Sequence, residues 1–408
     1  MKYVVILGDG MADRPLAELG NKTPLEYAHK PNMDFLAANG CVGLAKTVPD
    51  GMSAGSDTAN LSVMGYHPRK YYSGRSPLEA VSMGIKLDDG DVTFRCNLVT
   101  VSDEENFEDT TMIDYSSDEI STAESTELIN FLAKEFNSDK MQLYPGISYR
   151  HCLVMKSAET GSELTPPHDI LGKPIKDYLP KGPYGEMMLD ICKRSRELLK
   201  DHPVNLARIS RGLRPASCCW FWGEGTKPAL DSFEKLYGIS GGVISAVDLI
   251  KGIGICAGLE VVNVENATGN LSSNYTGKAS AALELLKNGH DFVYIHMEAP
   301  DEYGHRGECD NKVKAIEIID RDVVGPVIAG LRNSGEDFSV LLMPDHPTPL
   351  SIRTHCADPV PFVIYRSNAS SELSTERYTE SLAENTGLYV PDASVLMSAL
   401  LGKTPLFK

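Results

Sequence analysis

Residues 2–10 read Lys-Tyr-Val-Val-Ile-Leu-Gly-Asp-Gly and decide the fold of this 408-residue chain. The apolar run from Val4 to Leu7 predicts a short buried strand, and Asp9 follows it between two glycines, which permit a sharp turn. In open α/β sheets, ligands bind beyond the carboxyl ends of the strands. Asp9 is therefore a candidate ligand, although an aspartate that only caps a turn has the same pattern.

A second apolar run, Asp-Phe-Val-Tyr-Ile-His-Met at 291–297, precedes another pair of candidate ligands. Asp301 and His305 stand four positions apart, so on a helix they face the same way and can bind one ion. Pro300 suits the first turn of that helix. The spacing alone is common by chance, and its position directly after a strand-like run gives it weight.

A third run, Phe-Ser-Val-Leu-Leu-Met at 338–343, leads into Asp345 and His346, and His355 follows nine residues after His346. Consecutive side chains diverge on regular backbone, so both can bind a metal only where the strand has ended. An isolated histidine is more often a core or surface residue. Three acid and histidine runs that all follow predicted strands favour metal binding instead.

A loop of small residues supplies a hydroxyl group. Ser56 lies in Gly-Met-Ser-Ala-Gly-Ser-Asp-Thr-Ala-Asn at 51–60, after which the pattern becomes helical. A helix N-terminus favours phosphate through its free amides and its dipole. Alone, Ser56 would be interpreted as a helix cap. Beside a metal site it is the candidate nucleophile, with Ser53 and Thr58 as its rivals.

Together these runs contain three aspartates, three histidines and one serine. This set suits two divalent metal ions around a serine nucleophile, and so metal-dependent phosphoryl transfer. Oxygen and imidazole ligands without cysteine favour Mn, Mg or Zn, which composition does not separate.

Composition excludes several classes of protein. A net charge of −17 argues against a nucleic-acid partner, which needs a basic surface. The nine dispersed cysteines indicate buried thiols in a reducing compartment rather than a disulfide framework. The apolar run near the N-terminus is too short for a signal peptide, and no stretch approaches the roughly 18 apolar residues of a membrane span. We therefore expect a cytoplasmic protein without membrane partners, whose assembly state, homo-oligomer included, is open.

Strand-like runs alternate with helical patterns, which predicts an α/β fold with a largely parallel sheet. The predicted strands cover about 2–7, 93–101, 151–156, 243–246, 259–264, 291–296 and 338–343. The predicted helices cover about 32–39, 56–64, 77–83, 118–135, 185–200, 274–288 and 311–333, and Pro326 breaks or kinks the last.

The middle of the chain differs in character, with an acidic loop, a proline-rich stretch and several short strands. All candidate ligands lie outside it. We therefore predict a discontinuous metal-binding domain of residues 1–84 and 250–408, with residues 85–249 inserted as a smaller α/β domain. Two sequential domains, the alternative, would have to build the site across an interface.

The combined motifs resemble those of the cofactor-independent phosphoglycerate mutases, in their shorter archaeal-type branch. The resemblance spans the chain and rests on L-G-D-G-M-A-D, A-G-S-D-T-A-N-L-S-V-M-G-Y, S-G-R-S-P-L-E-A, E-A-P-D-E-Y-G-H, M-P-D-H and R-T-H-x-x-x-P-V-P. That family belongs to the alkaline phosphatase superfamily. It implies an alkaline-phosphatase-like parallel-sheet sandwich with helices on both faces and an inserted domain.

The resemblance also implies roles for individual residues. One metal would be held by Asp301, His305 and His355. The other would be held by Asp9, Ser56, Asp345 and His346. Ser56 would carry the phosphoryl group. Substrate-contacting positions would be Arg75, Arg150, His151 and Lys278, although Lys278 also suits an exposed position on an amphipathic helix.

The implied activity interconverts 3-phosphoglycerate and 2-phosphoglycerate, a step of glycolysis and gluconeogenesis, through a phosphoserine and without 2,3-bisphosphoglycerate. The implied partner is thus a small phosphorylated substrate. His151 or an aspartate near Ser56 would move protons between the glycerate oxygens.

One stretch departs from the family pattern. In Arg-Pro-Ala-Ser-Cys-Cys-Trp-Phe-Trp-Gly-Glu-Gly at 214–225, Trp222 stands where an arginine is usual and Glu224 adds a negative charge. Losing that cation favours an alternative, a homoserine kinase in which Glu224 pairs with a substrate ammonium. A metal-dependent phosphatase or sulfatase and a non-catalytic binding protein are the remaining alternatives.

Overall fold

The computed structural model describes residues 1–371 and 373–405. These residues form two compact units. Unit 1 comprises residues 1–72 and the described residues from 229 onward, and unit 2 comprises residues 73–228.

Local packing places both boundaries away from 84/85 and 249/250, where the sequence had put them. The helix at Ser76–Ser82 belongs to unit 2, because the hydroxyl of Ser76 donates a hydrogen bond of 2.9 Å to the carbonyl of Thr93. The strand at Gly241–Ile244 belongs to unit 1, because it pairs with the strand at Phe292–Met297.

The elements are numbered along the chain. The strands are β1 (Lys2–Gly8), β2 (Cys41–Ala45), β3 (Val92–Val101), β4 (Met112–Asp114), β5 (Met141–Tyr144), β6 (Arg150–Met155), β7 (Cys218–Thr226), β8 (Gly241–Ile244), β9 (Glu260–Val262), β10 (Phe292–Met297), β11 (Phe338–Met343), β12 (Val360–Arg366) and β13 (Tyr389–Val390). The α-helices are α1 (Pro24–Tyr27), α2 (Pro31–Asn39), α3 (Ser56–Val63), α4 (Pro68–Tyr71), α5 (Ser76–Ser82), α6 (Thr122–Phe136), α7 (Gly185–Lys200), α8 (Pro203–Ser210), α9 (Phe233–Tyr237), α10 (Asp248–Cys256), α11 (Tyr275–Lys287), α12 (Ala299–Arg306), α13 (Cys309–Ile319), α14 (Gly325–Ser334), α15 (Glu380–Asn385) and α16 (Val395–Leu400).

Unit 1 contains an eight-stranded sheet in the order β13-β2-β12-β11-β1-β10-β8-β9. Strand β1 lies near its centre and pairs in parallel with β10 and β11. Within the described part of this sheet, β12 alone runs antiparallel to its neighbours β11 and β2. The predicted α/β class with a largely parallel sheet is confirmed.

The composition of β1 explains its central position. Val4, Val5, Ile6 and Leu7 are all completely buried. Side chains alternate between the faces of a strand, so a run with no polar residue needs cover on both sides. Helices on both faces, as the family resemblance implied, satisfy this requirement.

The predicted long helix at 311–333 is interrupted. Helix α13 ends at Ile319, a π-helical segment spans Asp320–Val324, and α14 begins at Gly325. Pro326 has no backbone N–H and its ring excludes the normal helical hydrogen bond, so the turn before it widens. The predicted break at Pro326 therefore takes the form of a π segment.

Unit 2 contains a five-stranded sheet in which β3 pairs with β4, β6 and β7, and β6 also pairs with β5. Every one of these pairings is antiparallel. This unit is therefore a smaller domain of mixed α and β structure, whose helices pack against an antiparallel sheet. Among the described residues of the chain, no helix has the length and apolar character that crossing a bilayer requires.

Candidate active site

Candidate ligands of unit 1 follow the carboxyl ends of three neighbouring parallel strands. Asp9 comes directly after β1, Asp345 comes two residues after β11, and Asp301 lies in α12 just beyond β10. Because β1 pairs with both β10 and β11, the three chain segments emerge side by side. This is the edge at which open α/β sheets bind ligands.

One group of potential ligand atoms belongs to Asp9, Asp345 and His346, and these atoms lie within 4.8 Å of one another. The Nε2 atom of His346 lies 3.5 Å from Oδ1 of Asp9 and 3.4 Å from Oδ2 of Asp345. All three side chains are buried. Two carboxylates and an imidazole at this separation suit one divalent cation.

A second group consists of Asp301, His346 and His355, again within 4.8 Å of one another. His305 adjoins it, with Nε2 2.9 Å from Nε2 of His355 and 3.3 Å from Oδ2 of Asp301. Asp301 and His305 occupy the same helix, as their spacing predicted. His346, which the resemblance assigned to one metal, contacts both groups. We call the whole set the ligand cluster, which consists of Asp9, Asp301, His305, Asp345, His346 and His355.

Ser56 is the first residue of α3, and its hydroxyl lies 3.2 Å from Nε2 of His346. The cap alternative is not supported, because residue 55 holds the cap position and no side chain caps this helix. Of the rivals, Thr58 is buried within the helix and Ser53 is exposed. Neither makes a described contact with the ligand cluster.

The electrostatics of the cluster suit cations. Burial, together with the nearby carboxylates of Asp345 and Asp301, raises the pKa of Asp9 well above its ordinary value. Burial works in the same direction on Asp301, but hydrogen bonds from His305 and His355 outweigh it and lower its pKa. The Oδ1 atom of Asp9 is buried and lacks a hydrogen-bond partner among the described residues. A buried polar atom without a partner is unusual in folded proteins, and a bound cation would satisfy it.

A buried network supports the cluster from behind, and sequence reasoning missed it. Nε2 of His296 lies 3.2 Å from Oδ2 of Asp9, and its Nδ1 lies 3.4 Å from Oε1 of Glu298. Burial opposes a charge on His296, but the neighbouring carboxylates of Asp9 and Glu298 outweigh it and raise its pKa to about 10. His296 was not among the candidate site residues, and in the structure it contacts Asp9 from behind the ligand cluster.

Polar neighbours fix other ligands. The amide of Asn60 donates a hydrogen bond of 2.8 Å to Oδ2 of Asp345 and accepts one of 2.5 Å from the hydroxyl of Tyr294. The hydroxyl of Thr348 donates to Asp301. The backbone N–H of Gly10 donates a hydrogen bond of 3.1 Å to Oδ1 of Asp345. Such outer contacts orient metal ligands and raise their affinity.

Comparisons with known proteins agree with this geometry. The family model described as 2,3-bisphosphoglycerate-independent phosphoglycerate mutase matches residues 37–205. A curated protein of that name from Methanosarcina barkeri is 50% identical, over 98% of this chain and 99% of its own length. A probable member from Geobacter sulfurreducens is 48% identical, over 99% of this chain and 100% of its own length.

The chain belongs to this family.

Solved structures with the same fold support the family assignment. A protein from Pyrococcus horikoshii is 30% identical with a TM-score of 0.81, and the match covers 100% of this chain and 99% of that one. A cofactor-independent phosphoglycerate mutase from Thermoplasma acidophilum is 25% identical with a TM-score of 0.66, over 98% of this chain and 99% of its own.

Lys278, one of the substrate positions that the family suggests, is completely buried, so the exposed alternative is wrong. Its ammonium lies 2.6 Å from Oε2 of Glu298 and donates a hydrogen bond of 2.8 Å to the carbonyl oxygen of His296. Burial opposes a charge on Glu298, but Lys278 and His296 outweigh it and lower its pKa to about 2. Lys278 thus belongs to the network behind Asp9, and a direct substrate contact has no support in this arrangement.

The other suggested substrate positions lie in unit 2. Arg75 donates a hydrogen bond of 2.9 Å to Oε1 of Glu79, and Arg150 is exposed at the start of β6. In the pairing of β3 with β6, Arg150 stands opposite Asn97 and His151 stands opposite Cys96. Consecutive residues of a strand point to opposite faces of the sheet, so the side chain of His151 points away from that of Arg150.

His151 therefore fits poorly as a substrate contact or proton carrier. It is buried, its Nδ1 accepts a hydrogen bond of 3.0 Å from the backbone of Gly146, and burial lowers its pKa to about 3. Glu224 is also engaged, because its carboxylate accepts hydrogen bonds of 2.7 and 3.0 Å from the backbone N–H groups of Gly161 and Ser162. These contacts do not support a role for Glu224 in pairing with a substrate ammonium.

Proposed function

We propose that this chain is an isomerase that interconverts 3-phosphoglycerate and 2-phosphoglycerate through a phosphoserine at Ser56. One observation carries the proposal. The hydroxyl of Ser56 lies 3.2 Å from Nε2 of His346, the residue that the two groups of the ligand cluster share. Family membership supports the same chemistry.

The ligand cluster fits two divalent cations. The buried Oδ1 of Asp9 without a partner among the described residues, the two three-residue groups and the absence of sulfur all suit Mn, Mg or Zn. When bound, such ions lower the pKa of a nearby hydroxyl and neutralise charge on a transferring phosphoryl group. We propose that Asp301, His305 and His355 hold one ion, Asp9, Ser56 and Asp345 hold the other, and His346 lies between the two.

The protein residues then carry out two displacements. The Oγ atom of Ser56 loses its proton and forms a bond to phosphorus as the bond from phosphorus to O3 of the glycerate breaks, and O3 gains a proton. In the return step, O2 of the retained glycerate loses its proton and forms a bond to phosphorus as the bond from phosphorus to Oγ breaks, and Oγ of Ser56 regains a proton. The start of α3 presents free backbone N–H groups to the transferred phosphoryl.

Proton transfer falls to an aspartate rather than to His151. Asp57 follows Ser56 directly, and its Oδ2 accepts a hydrogen bond of 2.7 Å from the hydroxyl of Tyr72. That contact holds the carboxylate in place next to the nucleophile. We propose Asp57 as the group that moves protons between the glycerate oxygens.

The substrate class and setting follow from the same proposal. The partner is a small phosphorylated acid, and no 2,3-bisphosphoglycerate is needed. The cytoplasm is the proposed compartment, because all nine cysteines are free thiols, as a reducing environment allows. The homoserine kinase alternative is not favoured, because the backbone N–H groups of residues 161 and 162 already occupy Glu224.

The test is to trap the phosphoserine. Wild-type protein loaded with Mn²⁺ is mixed with 3-phosphoglycerate, quenched in acid and digested for mass spectrometry. We expect phosphate on Ser56, and we expect Ser56→Ala to lose about 1,000-fold or more of its isomerase rate. The matched control is Ser53→Ala, which removes an exposed hydroxyl from the same loop and is expected to keep full activity.

The proposal fails if Ser56→Ala isomerises 3-phosphoglycerate at the wild-type rate. A parallel assay with ATP and L-homoserine measures the kinase alternative, and a phosphate-release assay measures simple hydrolysis. Faster turnover in either assay than in the isomerase assay would replace the proposal.

A further inference from the structure

A lysine of helix α13, Lys312, is completely buried in unit 1. An ammonium group has three N–H donors. Here they donate hydrogen bonds to Oδ2 of Asp13 at 2.7 Å, to the carbonyl oxygen of Thr348 at 2.8 Å and to that of Ala12 at 3.4 Å. The side chain of Asp13 is as inaccessible as that of Lys312. The ammonium thus binds acceptors from two stretches of chain that lie far apart in the sequence.

The two stretches are the loops that carry metal ligands. The β1 loop, residues 9–14, follows β1 and begins with Asp9. The β11 loop, residues 344–350, follows β11 and contains Asp345 and His346. Because β1 and β11 are neighbouring parallel strands, the two loops leave the sheet side by side. Their relative position therefore decides how far Asp9 lies from Asp345 and His346.

The two loops are also joined by direct hydrogen bonds. The backbone N–H of Thr348 donates a bond of 3.3 Å to the carbonyl oxygen of Ala12. The carboxylate of Asp13 accepts bonds of 3.1 and 3.3 Å from the backbone N–H of Leu350. Lys312 closes this arrangement, because it donates to both loops from the helix beneath them.

Thr348 connects this arrangement to the ligands themselves. Its hydroxyl donates to Asp301 and lies 3.3 Å from Nδ1 of His346. Gly304 of α12 permits the close approach of the loop, since a Cβ atom at that position would lie 2.6 Å from the carbonyl oxygen of Thr348. That carbonyl oxygen is the one that Lys312 holds. Lys312 therefore reaches two ligands through one intervening residue.

A second carboxylate fixes the β1 loop to the rest of unit 1. The backbone N–H of Asp13 donates a hydrogen bond of 3.2 Å to Oε1 of Glu380, the first residue of α15. Oε2 of Glu380 accepts a bond of 2.7 Å from the hydroxyl of Thr23. Asp13 is thus held on its backbone side as well as at its carboxylate, and Lys312 holds the β11 loop against it.

A buried ion pair is a poor means of stabilising a fold. An apolar pair of the same volume is often as stable or more stable, because two charges must lose their water when they are buried. An apolar side chain at position 312 could not bind the carbonyl oxygens of the two loops. The charged pair of Asp13 and Lys312 therefore suits the task of fixing one arrangement of the loops.

We propose that Lys312 and Asp13 are positioning residues that hold the β1 loop and the β11 loop in the register required for binding divalent cations. Among the described residues, neither forms a hydrogen bond or ion pair with a member of the ligand cluster, so both act through the loops. The proposal rests on the proposed function in one respect, namely that the ligand cluster binds divalent cations.

The experiment measures metal binding by the full chain rather than turnover. Lys312→Met replaces the ammonium with an apolar group of similar length. We expect calorimetric titration to show about 10- to 100-fold weaker binding of Mn²⁺, the usual effect of losing an outer contact of a metal site. We also expect a changed visible absorption spectrum of bound Co²⁺, because that spectrum depends on the geometry of the ligands.

Two lysines provide matched controls. Lys314→Met changes an exposed residue of the same helix and should alter neither the Mn²⁺ affinity nor the Co²⁺ spectrum. Lys30→Met removes another buried lysine of unit 1, which forms an ion pair with Asp34. It should lower stability in urea and leave both metal measurements unchanged. A merely structural role for Lys312 predicts the result expected for Lys30→Met.

The double variant Asp13→Asn with Lys312→Met separates positioning from folding. It leaves no unpaired charge in the core, and the asparagine oxygen can still accept the backbone hydrogen bond from Leu350. We expect most of the stability lost in Lys312→Met to return. Binding of Mn²⁺ should stay weak, because the carbonyl oxygen of Thr348 still lacks its donor.

The outcomes distinguish this proposal from the proposed function. Wild-type Mn²⁺ affinity and an unchanged Co²⁺ spectrum in folded Lys312→Met protein, or in the double variant, overturn the positioning role. Wild-type protein that binds no divalent cation overturns both proposals. Weakened Mn²⁺ binding in Lys312→Met, with no phosphate ever found on Ser56, supports the positioning role and overturns only the proposed function.

Discussion

The ligand cluster of unit 1 and a charged group of unit 2, which consists of Arg75, Glu79, Arg95 and Arg150, differ in how their charges are balanced. In the ligand cluster, the buried Oδ1 of Asp9 has no hydrogen-bond partner among the described residues. In the group of unit 2, the Nε atoms of Arg75 and Arg95 each lie 2.9 Å from an oxygen of Glu79. The first cluster thus leaves a buried oxygen for a cation, whereas the second neutralises its carboxylate with the protein's own arginines.

The largest expected effect comes from His346→Ala, which removes the residue shared by both groups of the ligand cluster. We expect the isomerase rate to fall by about 1,000-fold or more and bound Mn²⁺ to be lost. Elemental analysis after gel filtration measures the metal. The exposed His29→Ala is the control. A His346→Ala protein that keeps wild-type activity and bound Mn²⁺ would contradict this prediction.

Next in size is Lys278→Met, which removes the buried cation behind the ligand cluster. Glu298 would keep its charge in a buried position with one partner fewer, and breaking such a pair costs about 3–5 kcal/mol. Urea unfolding measures the free-energy change. Lys287→Met, at the exposed end of the same helix, is the matched control. Equal stability of the two variants would argue against a structural role for Lys278.

A smaller effect is expected for His296→Leu, which removes the imidazole that orients Asp9. Loss of an outer partner typically weakens metal binding by about 10- to 100-fold. Calorimetric titration with Mn²⁺ measures the affinity directly. If Mn²⁺ binds His296→Leu with wild-type affinity, Asp9 does not depend on this contact.

The smallest expected effect is a pH dependence at Glu79. Burial opposes ionisation of Glu79, but the charges of Arg95, Arg75 and Arg150 outweigh it and hold its pKa below the ordinary value of 4.5. The ionised group therefore stabilises the fold above that pH. The contribution is about 1.4 kcal/mol for each unit by which the pKa is lowered, and it disappears as pH falls through the lowered pKa.

Urea unfolding of wild type and Glu79→Gln between pH 7 and pH 4 checks this prediction. The stability difference should be constant near neutrality and should shrink toward acid. Glu127→Gln, an exposed glutamate of α6, provides the comparison. A stability difference that grows as the pH falls toward 4 would contradict this prediction.

The sequence predicted those strands whose apolar runs are uninterrupted, above all β1, β10 and β11. It missed β12, because Pro361 within Val-Pro-Phe-Val-Ile-Tyr-Arg argues against a strand. It also missed β2, whose central Gly43 weakens the pattern. Both strands exist because they pair with each other and with the sheet, and pairing partners far along the chain are invisible to local propensity.

In the site, the acidic and imidazole ligands were predictable because they follow strand-like runs. Asn60 and Thr348 were missed, since amides and hydroxyls have many ordinary structural roles. A signal existed for Asn60, which lies one helical turn after Ser56. His151 shows the opposite failure. Its strand was predicted, and alternation along that strand already separated it from Arg150.

The position of β1 has a consequence for how the protein is made. Its two hydrogen-bonding neighbours are β10 and β11, which leave the ribosome only after some three hundred residues have followed it. The compact segment 73–228 is synthesised in between and can fold before β10 and β11 have been made. The first strand must therefore remain unpaired with these neighbours until they have been synthesised. Nascent chains that stop before residue 346 lack the histidine that both groups of the ligand cluster share, so neither group is complete until that residue has been added.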